Sequence, residues 1–359
     1  MKHSVALGVL FFSLCYADSY TDLFVKQSRP LKGERIVTDP YELARVAQEG
    51  ADFLSKLHKS KYSTASAGLF QEFGVTLDQV QETLQFIAQV GKTRPDLLTS
   101  PWFLNTHFTF YRWYGDKTKQ KEYIPRGWKA APEHILTTRY RITQVPASRV
   151  KTKYYNVPLC ELPEDEKQFT SAQKKEHKES LLRFKHSYSA IVGGALEKNK
   201  KTRPLAWVTQ KGCKEFVMQG SVLARYPDGT KKLLRVAGSN GMTSPDNYWY
   251  AMEVAKRPKN SAFPVKVKPR AGVTYAGDMN LLGFGKVIVL VGLNPVSQQE
   301  ETRLGVLVDT GGAFKDNLSK LDLFTGYFED EQAFKKHSQT YPHTARAYIL
   351  IKKSPKVAS

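Results

Sequence analysis

Leu307-Val308-Asp309-Thr310-Gly311-Gly312-Ala313-Phe314-Lys315, followed by Leu321-Asp322-Leu323-Phe324-Thr325-Gly326, is the most informative stretch of the 359-residue chain. An apolar strand runs into Asp-Thr-Gly-Gly, where two glycines let the backbone turn tightly and come close to a ligand. Asp322 stands between two leucines. A carboxyl so placed is expected to hold its proton more tightly, because burial disfavours the charged form, and a general acid needs that near neutral pH. The plain alternative is that both aspartates are turn residues bonded to their own backbone. Asp-Thr-Gly also occurs in aspartic proteases, where two such carboxylates share a proton. Only one copy occurs here, and its flanks do not fit.

Working outward, Tyr275-Ala276-Gly277-Asp278 with Leu282-Gly283 supplies a further aspartate ahead of this stretch. Upstream lie Leu205-Ala206-Trp207-Val208, Glu215-Phe216-Val217-Met218-Gln219-Gly220-Ser221, Asp228-Gly229 and Asn240-Gly241. Leu136-Thr137-Thr138-Arg139-Tyr140, Pro146-Ala147-Ser148 and Tyr155-Asn156-Val157-Pro158-Leu159 come before them. In this order, from about Thr137 to Ile351, the segments resemble the membrane-bound lytic murein transglycosylase A (MltA) family, with its C-terminal three-aspartate domain.

The resemblance implies a mainly β protein: a double-psi β-barrel, a second β-rich domain and an N-terminal helical segment. Residues 1–17 would be a signal peptide and 18–100 the helical segment belonging to the barrel. Residues 101–245 would form the second domain, and 246–353 the three-aspartate domain that completes the barrel. Family members cleave the β-1,4 bond between N-acetylmuramic acid and N-acetylglucosamine without water, leaving 1,6-anhydro ends. Asp322 would then be general acid and base in turn, supported by Asp309 and Asp278. One carboxyl suffices because the C6 hydroxyl of the substrate is the nucleophile, unlike the two-carboxylate arrangement of most glycosidases. The groove would be lined by Thr137, Tyr140, Gln219, Gly220, Ser221, Asn240, Gly241, Gly311, Gly312 and Lys315. Gln219 and Asn240 each offer a donor and an acceptor to sugar groups, or else serve as a structural bond and a turn residue. No cofactor or metal is implied.

The chain departs from the family pattern at several places. Two more residues separate Asp309 from Asp322, and Asp316 replaces the glycine that closes Ala-Ile-Lys-Gly. Thr138 and Arg139 stand where glycine and tyrosine are expected, and Ser189 where an arginine precedes Gly194-Ala195-Leu196. A catalytically weak or inactive peptidoglycan-binding protein is therefore the alternative function.

Composition fits an exported protein. Lys2 and His3 precede an apolar run from Val5 to Cys15 and then Tyr16-Ala17-Asp18, a secretory signal cleaved after Ala17. The run is too short to span a bilayer, and no later stretch is apolar enough. The expected location is the periplasm or cell envelope, with peripheral or outer-membrane association allowed. Cleavage leaves Cys160 and Cys213, which lack metal-site spacing and have no pairing fixed by sequence. The balance of 54 Lys+Arg against 34 Asp+Glu gives +20. In an exported chain this suits the carboxylates of peptidoglycan stems better than nucleic acid.

Asp39-Pro40-Tyr41-Glu42 predicts a helix to about His58, and Thr76-Leu77-Asp78-Gln79 opens a second with a capping box. From about Pro101 short β-branched and aromatic runs predict mostly strand: Ile135–Val145, Glu215–Tyr226, Lys232–Val236, Val287–Val291, Arg303–Val308 and Ala345–Ile351. Pro227-Asp228-Gly229 predicts a hairpin turn. The charge-rich segment Glu161–Arg203 reads as a solvated helix or loop.

Overall fold

The computed structural model describes residues 20–58, 66–123, 133–166, 169, 171–197, 201–254 and 267–354; the expected signal segment lies outside these. Helix α1 (Pro40–His58) starts where Asp39 Oδ1 accepts the Tyr41 and Glu42 N–H groups at 2.9 and 3.1 Å. Helix α2 (Leu77–Thr93) carries the expected capping box: Thr76 Oγ1 accepts Gln79 N–H, and Gln79 Oε1 accepts Thr76 N–H. The helices pack closely at Gly91, where a Cβ would lie 2.2 Å from that of Ala44. Their inner faces, including Leu43, Val46, Leu54, Val80, Leu84 and Ile87, join one large core with the strands below.

Fourteen strands form one sheet system: β1 (Phe24–Gln27), β2 (Arg35–Ile36), β3 (Phe108–Trp113), β4 (Ile135–Ser148), β5 (Val157–Cys160), β6 (Pro204–Val208) and β7 (Ser221–Arg225) come first. They are followed by β8 (Lys231–Ser239), β9 (Trp249–Glu253), β10 (Thr274–Ala276), β11 (Val287–Leu293), β12 (Glu300–Asp309), β13 (Lys320–Phe328) and β14 (Thr344–Lys352). The main order is β1-β3-β14-β11-β12-β10-β13-β4-β7-β8-β9, and β14 also pairs with β4. The pairings β14–β11–β12–β10–β13–β4 thus return to β14. Strand β11 is buried from Val287 to Gly292, which is why its sequence reads as an unbroken apolar run rather than an alternation.

Strand β4 is long enough to serve two cores. Its first half pairs with β13 and β14, its second half with β7 and β6. Around that second half, Val145, Val157, Leu159, Val208, Phe216, Val222 and Leu234 pack into a separate cluster. Strands β7 and β8 form the expected hairpin, with Gly229 at φ +80° in its turn.

Three expectations are corrected. Glu215–Tyr226 is not one strand: Gln210–Gln219 is a helix, Gly220 closes it at φ +68°, and only Ser221–Arg225 is strand. Thr209 caps that helix, and Cys213 and Phe216 are buried on one face while Val217 and Met218 face out, a helical rather than alternating pattern. Pro101–His107 is likewise a helix, capped by Ser100.

In the charge-rich segment, residues 176–180 are exposed, but Leu182, Ile191 and Leu196 pack with Cys160, Tyr248 and Tyr250 in a small core of their own. Beneath the charges, Glu166 is buried between Lys174 (3.4 Å) and Arg183 (3.3 Å). Cys160 and Cys213 are both buried free thiols, each raised to about 11 chiefly by burial.

Candidate active site

Strands β12, β10, β13 and β4 lie side by side, and their register sets Asp309, Ala276, Asp322 and Thr138 in one row. Strand spacing places the backbones of Asp309 and Asp322 about 10 Å apart, with Ala276 between them. The two aspartates of the opening stretch, 13 positions apart in sequence, therefore stand in the same part of the sheet.

Asp322 is recessed, with 17% of its side chain exposed. Burial raises the pKa of its carboxyl, and Lys320 and then Arg139 oppose that rise. Lys320 stands two residues earlier on the same strand, hence on the same face, and its Nζ is 3.5 Å from Asp322 Oδ1. Oδ1 is buried and has no hydrogen-bond partner. Asp322 lies within β13 and is not a turn residue bonded to its own backbone.

Asp309 sits in the opposite kind of environment. Arg235 Nη2 lies 3.2 Å from its Oδ1, Thr310 N–H donates to the same oxygen at 3.0 Å, and the Tyr140 hydroxyl donates to Oδ2 at 3.1 Å. Three donors suit an acceptor-only carboxylate. Tyr140 is held over Phe324, ring centroids 5.2 Å apart, and burial followed by the Asp309 charge raises its phenol well above the usual value. The Asp322 charge acts in the same direction, so Tyr140 is electrostatically coupled to both carboxyls.

Asp278 is buried two residues beyond Ala276 and caps the helix Met279–Leu282, accepting Asn280 and Leu281 N–H at 2.9 and 3.0 Å. Its second oxygen accepts Asn317 N–H at 3.3 Å. Through Asn317 it fastens the loop between β12 and β13, which carries the longer spacing. That loop is pinned elsewhere too: Ser319 Oγ donates to Asp116 O and Trp113 Nε1 to Leu318 O. Asp316, in the place of the family's glycine, has φ +53°, a left-handed conformation that aspartate tolerates better than most residues. Asp322 is reached only after the loop has closed.

The remaining groove candidates divide. Thr137 is buried, its hydroxyl donating to Pro342 O and its N–H to His343 O. Asn240 is also buried and spends its whole amide on backbone: Nδ2 donates to His186 O and Asp246 O, and Oδ1 accepts Met242 and Tyr248 N–H. These bonds match the structural alternative among its expected roles. Gly241 follows at φ +71° against the Phe184 ring. Gln219 and Gly220 are partly exposed at the end of their helix, with open space beside Gly220. Ser221 pairs with Arg235, so this corner lies next to the residue that grips Asp309. Gly311, Gly312 and Lys315 are exposed just beyond Asp309.

Sequence reasoning missed Arg235 and Lys320 as parts of the site. Lys320 was discoverable from its two-residue offset to Asp322. Arg235 lies 74 residues from Asp309 and has no local signal. Arg139, noted as a departure, donates to the carbonyls of Thr137, Ser338 and Tyr341 and so ties the segment before β14 to the site. Among the described residues, no group of acidic, histidine or cysteine side chains could hold a metal ion.

Residues 136–244 match the family model of the MltA specific insert domain. The fold is that of a membrane-bound lytic murein transglycosylase from Agrobacterium tumefaciens (17% identity, TM-score 0.58, covering 88% of this chain and 93% of that one). It is equally similar to MltA from Neisseria gonorrhoeae (15%, TM-score 0.59, 93% of each chain). E. coli MltA with bound chitohexaose matches at 15% identity and TM-score 0.55, over 92% of this chain and 95% of that one. No curated protein matches the chain in sequence. Residues 136–244 thus match the MltA insert domain, and the chain shares the fold of these solved structures.

Proposed function

We propose that this MltA-type chain is a peptidoglycan lytic transglycosylase whose acid and base is Asp322. The observation that carries the reading is the contrast between the two carboxyls in one row: Asp322 recessed with a raised pKa, Asp309 gripped by Arg235 and Tyr140.

In this mechanism the Asp322 proton passes to the glycosidic oxygen as the bond from C1 breaks and positive charge develops at C1. The resulting carboxylate then takes the proton of the C6 hydroxyl, whose oxygen bonds to C1 and closes the 1,6-anhydro ring. Asp322 ends the cycle protonated as it began, and no water is consumed. Asp309 and Asp278 act as supports, the first by orienting Tyr140, the second by holding the loop ahead of β13.

The substrate class is supported by charge and by likeness. Residues 136–244 contain 21 Lys+Arg against 9 Asp+Glu, a net positive charge suited to the carboxylates of peptidoglycan stems. The related E. coli enzyme holds chitohexaose. The ring of pairings from β14 to β4 would be the double-psi barrel, with the groove between it and the insert. The apolar run Val5–Cys15 supports export to the periplasm or cell envelope; no described helix is long and apolar enough to cross a membrane.

Incubation with purified murein sacculi tests the proposal: soluble muropeptides with 1,6-anhydro ends are expected from the native protein and not from Asp322→Asn. Binding to sacculi without any release would favour the glycan-binding alternative.

A further inference from the structure

Thr138 occupies a position where the family pattern has glycine, and the structure gives its hydroxyl a specific neighbour. Asp322 and Thr138 are register partners on the parallel strands β13 and β4. Partners in register project from the same face, on backbones about 4.8 Å apart. Thr138 Oγ1 and Asp322 Oδ1 are both buried, and neither has a hydrogen-bond partner. Leaving a buried polar atom unpaired is costly, so two such oxygens on register partners point to a shared hydrogen bond that is not yet formed in the structure.

We propose that Thr138 is a positioning residue, its hydroxyl donating a hydrogen bond to the Asp322 carboxylate formed when the acid gives up its proton. The proposal rests on the reading of Asp322 as the acid and base. A carboxylate only accepts, whereas a threonine hydroxyl can donate, so the direction of the bond is fixed once the proton has left. Threonine is β-branched and confined to few χ1 wells, so a hydroxyl turned towards Asp322 would be held there with little loss of side-chain freedom. A hydrogen bond to a charged acceptor is stronger than one to the neutral acid. Thr138 would therefore stabilise the state after proton transfer more than the state before it, the condition for raising the rate rather than tightening binding. Lys320 Nζ, 3.5 Å from Oδ1, sits at the edge of hydrogen-bond range and already holds the Asp322 pKa down, so the Thr138 hydroxyl would add a donor from the neighbouring strand.

The test compares Thr138→Val, which keeps the shape and removes the hydroxyl, with Thr138→Ser, which keeps the hydroxyl. In Thr138→Val, kcat for anhydro-muropeptide release should fall about tenfold with KM nearly unchanged. The high-pH limb of the kcat profile should move up by about one pH unit, because loss of a donor to the carboxylate raises its pKa. Thr138→Ser should retain the native limb. Thr138→Ala serves if the valine variant does not fold. A carbon-13 NMR titration of the Asp322 carboxyl reads the same shift without activity, so it decides the proposal even if the native protein releases no product. Coinciding Asp322 titrations in native and Thr138→Val proteins would overturn it, as would a serine variant that behaves like the valine one.

Discussion

Arg235 of β8 and Asp309 at the end of β12 meet at 3.2 Å, an ion pair that joins the insert to the strand that ends beside Ala276 in the row of the site. With side chains 26% and 13% exposed, the pair is partly desolvated, so loss of one partner should cost about 1–2 kcal/mol. Arg235→Met is expected to lower unfolding free energy by that amount in urea denaturation. Combined with Asp309→Asn, the loss should fall short of the sum of the two single changes. Strict additivity would show that the pair is not coupled in solution.

Asp322→Asn should stabilise the folded chain at neutral pH while abolishing product release. The native pKa of this carboxyl is raised above its unfolded value by burial. The folded state therefore binds the proton more tightly, and the protein loses stability as pH rises from the unfolded pKa through the folded one. A neutral isostere has no charge to bury. Thermal unfolding at pH 7 and pH 3 checks this: the variant's advantage should be present at the higher pH and shrink at the lower.

Lys320→Met should shift the pH dependence of catalysis. Lys320 is the first-ranked group that lowers the Asp322 pKa against burial. Its removal is expected to move the high-pH limb of kcat upward, because Asp322 then keeps its proton to higher pH. A rate–pH profile with an unmoved limb would place the controlling acid elsewhere.

Lys286 lies wholly inside the main core, its Nζ without a hydrogen-bond partner and 5.5 Å from the Phe70 ring centroid. Burial lowers its pKa to about 7. Between that value and the unfolded value of 10.5 the unfolded chain binds more protons, so native stability should rise with pH across this window. Lys286→Met should gain on the order of a few kcal/mol at pH 6 and little at pH 10. Denaturation curves at the two pH values would reveal the difference.

Asn240→Ala should affect folding before substrate binding. Asn240 is buried and all four of its amide hydrogen bonds go to backbone around the turn after β8, so truncation should cost about 2–4 kcal/mol. Sacculus binding by the fraction that remains folded should change little.

How much of this was legible follows from the range of each signal. The capped starts of α1 and α2 and the turn at Asp228-Gly229 depend on residues within four positions, and the sequence displays them directly. The pairing of Asp309 and Asp322 across Ala276 was accessible only through an ordered set of distant motifs. The helix Gln210–Gln219 was misread because Glu215-Phe216-Val217-Met218 has strand-like composition, while its burial follows a helical face. Asn240 looked like a sugar ligand because residue type gives chemical capacity but not prior commitment. Arg235 belongs to neither local pattern nor motif; strand pairing alone brings it to Asp309.

The most direct test of the central claim is digestion of sacculi in water enriched in heavy oxygen, followed by mass spectrometry of the released ends. If Asp322 directs intramolecular attack by the C6 hydroxyl, the native protein will release 1,6-anhydro ends with no solvent oxygen at C1, and Asp322→Asn will release none. Reducing ends labelled at C1 would mean that water is the nucleophile and would contradict the mechanism.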